Sequence, residues 1–322
     1  MMRVGTSDAR SGEQINGALL VDKPGGLTSH DVVARVRRAL RTPRIGHTGT
    51  LDPLATGLLV LLVGHATRFS QFLVTDEKEY VAGVRLGQST PTYDAQGLDE
   101  AMREAGGARL VTPEQIEALL PDFLGTFPQV PPPFSAKKVD GVRAYKKARQ
   151  HEPVELKAVQ VTVRELEIVA DHPPTSHLAP RNSDPTLVRL RIVCSAGFYV
   201  RSLAHDLGQR LGCGAHLESL RRTRVGRFRL DDATPLEALE SDPAGALFIP
   251  LNTLLEDAPA VLVTDEGSRR ASHGNTLGPS HLVGPVPPGS PPRVRLLDGS
   301  GTLLAVARMG SDALLHPLIV LG

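Results

Sequence analysis

Asp52 is the only carboxylate in the run Gly46-His47-Thr48-Gly49-Thr50-Leu51-Asp52-Pro53-Leu54-Ala55-Thr56-Gly57, and no lysine or arginine accompanies it there. Pro53 pushes Asp52 out of the helical region, and the glycines let the backbone approach something closely. A carboxylate on an irregular loop beside a buried strand is placed to act as acid, base or nucleophile. The same residues also suit an aspartate in an ordinary turn ahead of a proline. Tyr80, His47 and Arg201 are further groups able to stack, donate or pair. Each has a plain reading: Tyr80 as a half-buried sheet tyrosine, Arg201 as a solvated residue at a helix start, and Lys23 as a turn lysine. His65, His205 and His216 are widely spaced and lie near no cysteine or carboxylate pair, so the sequence implies no metal site. No G-x-G-x-x-G follows the apolar run 57–64, so dinucleotide binding has no support.

The elements around these residues can be read from pattern. Residues 17–22 form an apolar strand that stops at the turn 23–26. Thr28 and Asp31 have capping-box spacing before a helix over 31–40, and the apolar strand 58–63 follows the Asp52 loop. A short helix is predicted over 66–74 and a strand over 79–86. Thr112-Pro113-Glu114-Gln115 opens a helix running to about 124. A basic helix is predicted over 142–150, alternating strands over 154–169 and 187–194, a helix over 202–211 ended by Gly212, and a weak helix over 235–239. Beyond about residue 250, strands at 261–263, 294–297, 302–307 and 318–321 between Gly/Pro turns suggest a small β-rich appendage.

The chain has 322 residues with 36 basic and 35 acidic side chains. That length fits a large and a smaller domain. Sixteen of the cations cluster in Arg35–Arg44, Lys137–Arg149 and Arg221–Arg229, leaving twenty basic against thirty-four acidic residues elsewhere. Such segregation suits a working face that meets a polyanion; solvated helix faces are the ordinary alternative. Cys194 and Cys213 are too few for a disulfide framework. The longest apolar run is far short of the ~20 residues that span a bilayer, and the N-terminus lacks the apolar core of a signal peptide. A cytoplasmic protein without membrane contact is expected.

In order and spacing, residues 17–226 resemble the TruB-type tRNA pseudouridine synthases. The G-H-T-G-x-L-D-P-x-A-T-G block stands at Gly46–Gly57. Around it lie D-K-P-x-G-x-[ST]-S-H at Asp22–His30, L-G-x-A-T-[KR] at Val63–Arg68, K-x-Y at Lys78–Tyr80, L-G-x-x-T-x-T-x-D at Leu86–Asp94, Y-S-A-x-K at Phe134–Lys138 and G-x-Y-[IV]-R at Gly197–Arg201. The departures are Val63 for Leu, Arg68 for a common Lys and Phe134 for a common Tyr.

The resemblance implies isomerisation of uridine 55 in the tRNA T-loop to pseudouridine. Asp52 would be the catalytic aspartate, Tyr80 the tyrosine packed on the base and implicated in removing its C5 proton, and Arg201 the carboxylate's partner. His47 would take part in flipping the nucleotide out, while Lys23, Arg68 and Tyr199 would face the site. Lys137 and Lys138, in the basic segment, would bind RNA. An arginine fork is expected to lower the pKa of Asp52. Neither cofactor nor metal is implied, because an isomerisation transfers and oxidises nothing.

The expected fold is α+β: a large mixed, mainly antiparallel sheet with flanking helices, plus a small C-terminal β-rich PUA-like domain. The expected organisation is a disordered tail over 1–14 and a catalytic domain over 15–250, with an RNA-gripping insertion at about 126–150 and a surface insertion at 171–185. A PUA-like RNA-binding domain over 251–322 completes it. The expected partner is the tRNA T-arm, met by a monomer with no obligate protein partner. An RNA-folding helper, or an isomerase of another RNA, are the alternative readings.

Overall fold

The computed structural model describes residues 2–3, 15–74, 76–98, 111–135, 137–139, 142–143, 156–169, 184, 186–287 and 293–321. Its strands are β1 Met2–Arg3, β2 Gly17–Lys23, β3 Ile45–His47, β4 Thr56–Val63, β5 Lys78–Leu86, β6 Gly125–Gln129, β7 Lys138–Val139, β8 Val142–Arg143, β9 Val159–Ile168, β10 Leu187–Cys194, β11 Ala215–Val225, β12 Phe228–Arg229, β13 Thr234–Pro235, β14 Leu247–Pro250, β15 Ala260–Leu262, β16 Val294–Leu297, β17 Leu303–Met309 and β18 Leu315–Val320. The helices are α1 Ser29–Ala39, α2 Ser70–Leu73, α3 Pro113–Leu119, α4 Val200–Leu211, α5 Leu236–Ser241 and α6 Asp265–Ser272.

The main sheet runs β1-β14-β2-β4-β11-β5-β10-β9-β6, with β3 on β4, β12 on β11 and β13 on β2. Its pairs are antiparallel except β11–β4 and β13–β2. The α+β reading therefore holds, and the last four strands form their own sheet in the order β15-β16-β17-β18.

Directly paired residues project to the same side of a sheet, which identifies the two faces. On one face α1 covers Leu59, Leu61 and Val63 of β4, while α4 covers Tyr80, Ala82 and Val84 of β5 together with Leu190 and Ile192 of β10. On the other face, Leu20, Leu58, Val60, Leu62 and Phe69 share one core with Leu254, Leu255, Leu303, Val306 and Ile319. The C-terminal sheet thus shares buried apolar surface with the main sheet. Beyond it, the second face is polar: Arg191 pairs with Glu79, Glu165 and Glu167.

The capping box of α1 at Thr28 and Asp31 is present, as is that of α3 at Thr112 and Gln115. Gly212 ends α4 in the left-handed conformation, φ 68°. One expectation is corrected, and further elements were not anticipated. Strand β11, at the centre of the main sheet, was not anticipated, because interleaved arginines and two register shifts hide its alternation. The basic helix expected over 142–150 is a strand at Val142–Arg143, hairpinned to Lys138–Val139; residues 144–150 lie outside the described residues. The appendage also contains a helix, α6, whose Thr264 cap accepts from the Gly267 amide. Of the expected tail 1–14, only residues 2–3 are described, and of the insertion 171–185, only residue 184.

Gly57 shows why the Asp52 run needs its last glycine. Its φ is +97°, and it pairs with Arg222 across the parallel β4–β11 contact, so a Cβ there would collide with the Arg222 backbone. Gly57→Ala is expected to destabilise the protein by about 2 kcal/mol or more through strain and displaced strands. Urea denaturation measures it, and an unchanged midpoint would contradict this close-packing argument.

Candidate active site

The loop 48–55 leaves β3 and returns into β4, and its backbone is tied down almost residue by residue. Thr48 donates to the Val60 carbonyl at 3.2 Å and Ala55 to the Asp52 carbonyl at 3.0 Å, while the Gly26 amide donates to Pro53 O at 2.8 Å. The buried hydroxyl of Ser29, at the start of α1, accepts from the Leu51 amide at 2.8 Å and donates to the Leu51 carbonyl at 3.1 Å. Arg222 donates through Nη2 to Gly49 O at 3.0 Å. An irregular loop fixed in this way presents its side chain as rigidly as a strand would.

Asp52 projects from that loop with 41% of its side chain open, while the arginine that grips it is only 7% exposed. Arg201 Nε lies 2.9 Å from Asp52 Oδ2, and Nη1 lies 3.4 Å from Asp94 Oδ2. The remaining donors reach Thr92 O at 3.3 Å and Phe134 O at 3.1 Å. Asp94 is itself buried, accepting from the Thr92 hydroxyl at 2.6 Å and the Gln96 amide at 3.1 Å. One guanidinium therefore serves two carboxylates and two carbonyls, which fixes its plane and leaves one carboxylate facing outward.

The expected lowering of the Asp52 pKa is corrected. Burial pushes it above the usual carboxylate value, against the pull of Arg201, and Asp94 adds to the rise. Sharing the arginine with a second carboxylate weakens what the first receives.

Tyr80 lies on β5 in the same face, 9% exposed, and its phenol is pushed up by burial. His47 ends β3 opposite Leu61 and meets His30 edge-on, with ring centroids 5.6 Å apart. Burial, helped by His30 and Arg222, lowers its pKa to about 4, so the imidazole is neutral near pH 7. Tyr199 precedes α4; its main chain exchanges hydrogen bonds of 2.8 and 3.0 Å with the Gln129 amide, and burial raises its phenol.

Lys23 is not an open contact. It is fully buried, and Nζ donates to Pro24 O at 2.8 Å and Leu27 O at 2.6 Å, stapling the turn beside the site. Burial lowers its pKa to about 8. Arg68 lies outside the Asp52 cluster, past the far end of β4. It is exposed, and its guanidinium donates to the Val320 carbonyl of the C-terminal sheet. Lys137 is half-buried, and the Lys138 backbone forms part of β7.

The arginine run 221–229 is largely spent within the protein. Arg221 pairs with Asp22 at 2.7 Å, Arg224 with Glu77 at 2.9 Å and Arg227 with Glu256 at 2.6 Å, and Arg222 is buried. In the first basic stretch, Arg38, Arg41 and Arg44 are exposed with no acidic partner among the described residues. Sequence reasoning missed Asp94, Thr92 and Arg222 as parts of the site. Asp94 closes one of the quoted blocks, which was the available signal. Among the described residues no group of three His, Cys, Asp or Glu is arranged for a metal, and no helix is long and apolar enough to cross a membrane.

Comparison with known proteins places this geometry. The fold is that of the pseudouridine synthases. It aligns with the chain in "Structure of H/ACA RNP bound to a substrate RNA containing 2'-deoxyuridine" at TM-score 0.67 and 24% identity, covering 94% of this chain and 84% of that one. It aligns with a chain of a Cbf5-Nop10-Gar1 complex at TM-score 0.63 and 26% identity, covering 91% and 78%. The model for the N-terminal domain of TruB family pseudouridylate synthases matches residues 37–200, and that for the tRNA pseudouridylate synthase B C-terminal domain matches 201–248. The tRNA pseudouridine synthase B of Solibacter usitatus (strain Ellin6076) is 42% identical over 318 residues, 95% of this chain and all of that protein. That of Ralstonia nicotianae (strain ATCC BAA-1114 / GMI1000) is 47% identical over 266 residues, 82% and 81% of the two. The chain belongs to the TruB family of pseudouridylate synthases.

The His47 environment makes a prediction about acid stability. The unfolded imidazole takes its proton near pH 6.5 and the folded one near 4. Between those values the unfolded state binds the proton more tightly, so stability falls as the pH is lowered. His47→Gln is expected to flatten this fall between pH 6.5 and 4 in urea midpoints. A decline parallel to the parent protein's would show that His47 is not the group responsible.

Proposed function

We propose that this enzyme converts uridine 55 in the T-loop of tRNA to pseudouridine, with Asp52 as the catalytic carboxylate. The observation that carries the reading is the Asp52–Arg201–Asp94 arrangement, in which a buried guanidinium aims an otherwise open carboxylate outward. The reaction breaks C1′–N1, rotates the uracil, forms C1′–C5 and moves a proton from C5 to N1. Breaking the glycosidic bond builds positive charge on the sugar, which a fixed carboxylate stabilises. The raised pKa of Asp52 is compatible with this as long as it is ionised at working pH, so activity falls on acidification at a pH above the ordinary carboxylate value of 3.8.

A uridine inside a folded loop is reached only by extrusion, at a cost of a few kcal/mol. Tyr80 packs on the released base, in position to take its C5 proton, and neutral His47 offers an aromatic surface to the opened loop. Tyr199 lines the wall behind Arg201, and Lys23 holds the turn beneath it. Arg68, Lys137 and Lys138, together with Arg38, Arg41 and Arg44, meet phosphates. Residues 15–250 form the catalytic domain, with an RNA grip at about 126–150, and 251–322 act as a PUA-like RNA-binding domain. The tail 1–14 and the insertion 171–185 have no part in the chemistry. The enzyme works in the cytoplasm as a monomer, without cofactor.

Asp52→Asn is expected to abolish pseudouridine formation in an unmodified tRNA while tRNA affinity stays within a few-fold. Product mapping at position 55 and filter binding measure the two quantities. Normal product formation by the variant would overturn the assignment. Binding is also expected to weaken steeply with salt, with log K falling by about 0.7 to 0.9 per phosphate neutralised for each tenfold rise in salt. An affinity unchanged between 50 and 200 mM salt would exclude a phosphate-led interface.

A further inference from the structure

One stacked pair of rings stands outside the chemistry above. Tyr93 and His205 lie face to face, with centroids 3.8 Å apart and planes 8° from parallel. Tyr93 also has a positive φ, +65°. A tyrosine in the left-handed region costs free energy that its surroundings must offset. The His205 Nδ1 is buried with no hydrogen-bond partner among the described residues, so no bond through that atom holds the ring. The stack is what each side chain has been given.

The place of the pair in the fold gives it a task. Tyr93 stands between Thr92 and Asp94, the two residues of this turn that Arg201 engages. Nη1 of the guanidinium donates to the Thr92 carbonyl at 3.3 Å and lies 3.4 Å from Asp94 Oδ2. His205 follows Arg201 by four residues on α4, one turn along the same face of the helix. The stack therefore joins the turn 90–94 to the helix that carries Arg201. On its other side the turn is tied to β11, where the Leu217 amide donates to the Tyr93 carbonyl at 3.0 Å. Within it, the Thr90 hydroxyl donates to Asp94 O at 2.8 Å and the Thr92 hydroxyl to Asp94 Oδ1 at 2.6 Å. So closely bonded a turn moves as a unit, and a contact that fixes Tyr93 also fixes Asp94.

We infer that Tyr93 and His205 are positioning residues for the uridine reaction: their stack sets the turn 90–94 against α4 and so fixes how Arg201 is shared between Asp94 and Asp52. This rests on the pseudouridine reading above. The pair acts through the guanidinium. Two of the four groups that Arg201 holds belong to this turn, and a third is Asp52 itself. A shift of the turn therefore re-aims the fork and the carboxylate with it. Misplacement by about 1 Å can cost on the order of 100-fold in rate.

The test measures kcat for pseudouridine formation, and tRNA affinity by filter binding, in Tyr93→Phe, Tyr93→Ala, His205→Ala and their combinations. Pseudouridine formation by the unaltered enzyme checks the underlying reading separately. Tyr93→Ala and His205→Ala are each expected to lower kcat roughly 10-fold, with tRNA affinity within about threefold. Tyr93→Phe keeps the ring and should stay within about twofold of the parent. The two alanine substitutions together should cost little more than either alone, because each already removes the stack. In an Asp94→Ala background, Tyr93→Ala should change kcat by less than about twofold, since the carboxylate it places is gone. An unchanged kcat in Tyr93→Ala, additive losses from the two rings, or an equal loss with and without Asp94 would overturn the inference. If Tyr93→Ala does not fold, Tyr93→Gly, which removes the ring and suits the left-handed backbone, is carried through the same cycles with the same criteria.

Discussion

The site depends on a single guanidinium that must satisfy two carboxylates at once. Arg201 is nearly closed off from solvent, so its charge acts at short range in a medium of low polarizability, where each contact counts for more than it would in water. Asp94 and the carbonyls of Thr92 and Phe134 hold the fork's plane. Asp52 receives what remains. The result is an aimed carboxylate whose ionisation is harder than usual, a compromise between orientation and charge. Sites built in this way give up stability for function.

The sheet explains how two long-separated segments meet. β11 lies between β4 and β5, with β4 leading out of the Asp52 loop and β5 carrying Tyr80. The close backbone contact at Gly57 sets the spacing on one side, and the Arg222–Tyr80 register sets it on the other. α1 and α4 cover the two halves of this face, and the Asp52 loop descends between them, anchored by Ser29 and Gly26. The opposite face has two different solutions to exposure. One half is sealed by the C-terminal sheet and the other is left as an arginine–glutamate ladder in solvent. Such a ladder contributes little stability but keeps the face soluble.

Much of this was legible in the sequence, for reasons that can be named. The capping boxes at Thr28 and Thr112 and the glycine stop at Gly212 are local signals, and local geometry decides them. The pairing of Asp52 with Arg201 came from the family resemblance, since nothing local links residues 149 positions apart. β11 was illegible because Arg221, Arg222 and Arg224 read as a surface run; in a strand, neighbouring arginines point to opposite faces, so Arg221 pairs with Asp22 while Arg222 is buried. The rise in the Asp52 pKa was likewise hidden, because it comes first from burial in the folded site, with Asp94 adding to it. Lys23 looked like an open turn residue, and only the folded turn shows its ammonium consumed by the carbonyls of Pro24 and Leu27.

The central claim is that this geometry detaches uracil from its ribose and reattaches it through C5. Tritium placed at C5 of the uridines in an unmodified tRNA follows that change directly, because the C5 hydrogen is lost only when the new carbon–carbon bond is completed. The account predicts release of one tritium per tRNA into water, abolished when the T-loop uridine alone is replaced by cytidine. Retention of all tritium by the native enzyme, or release that survives that replacement, would contradict it.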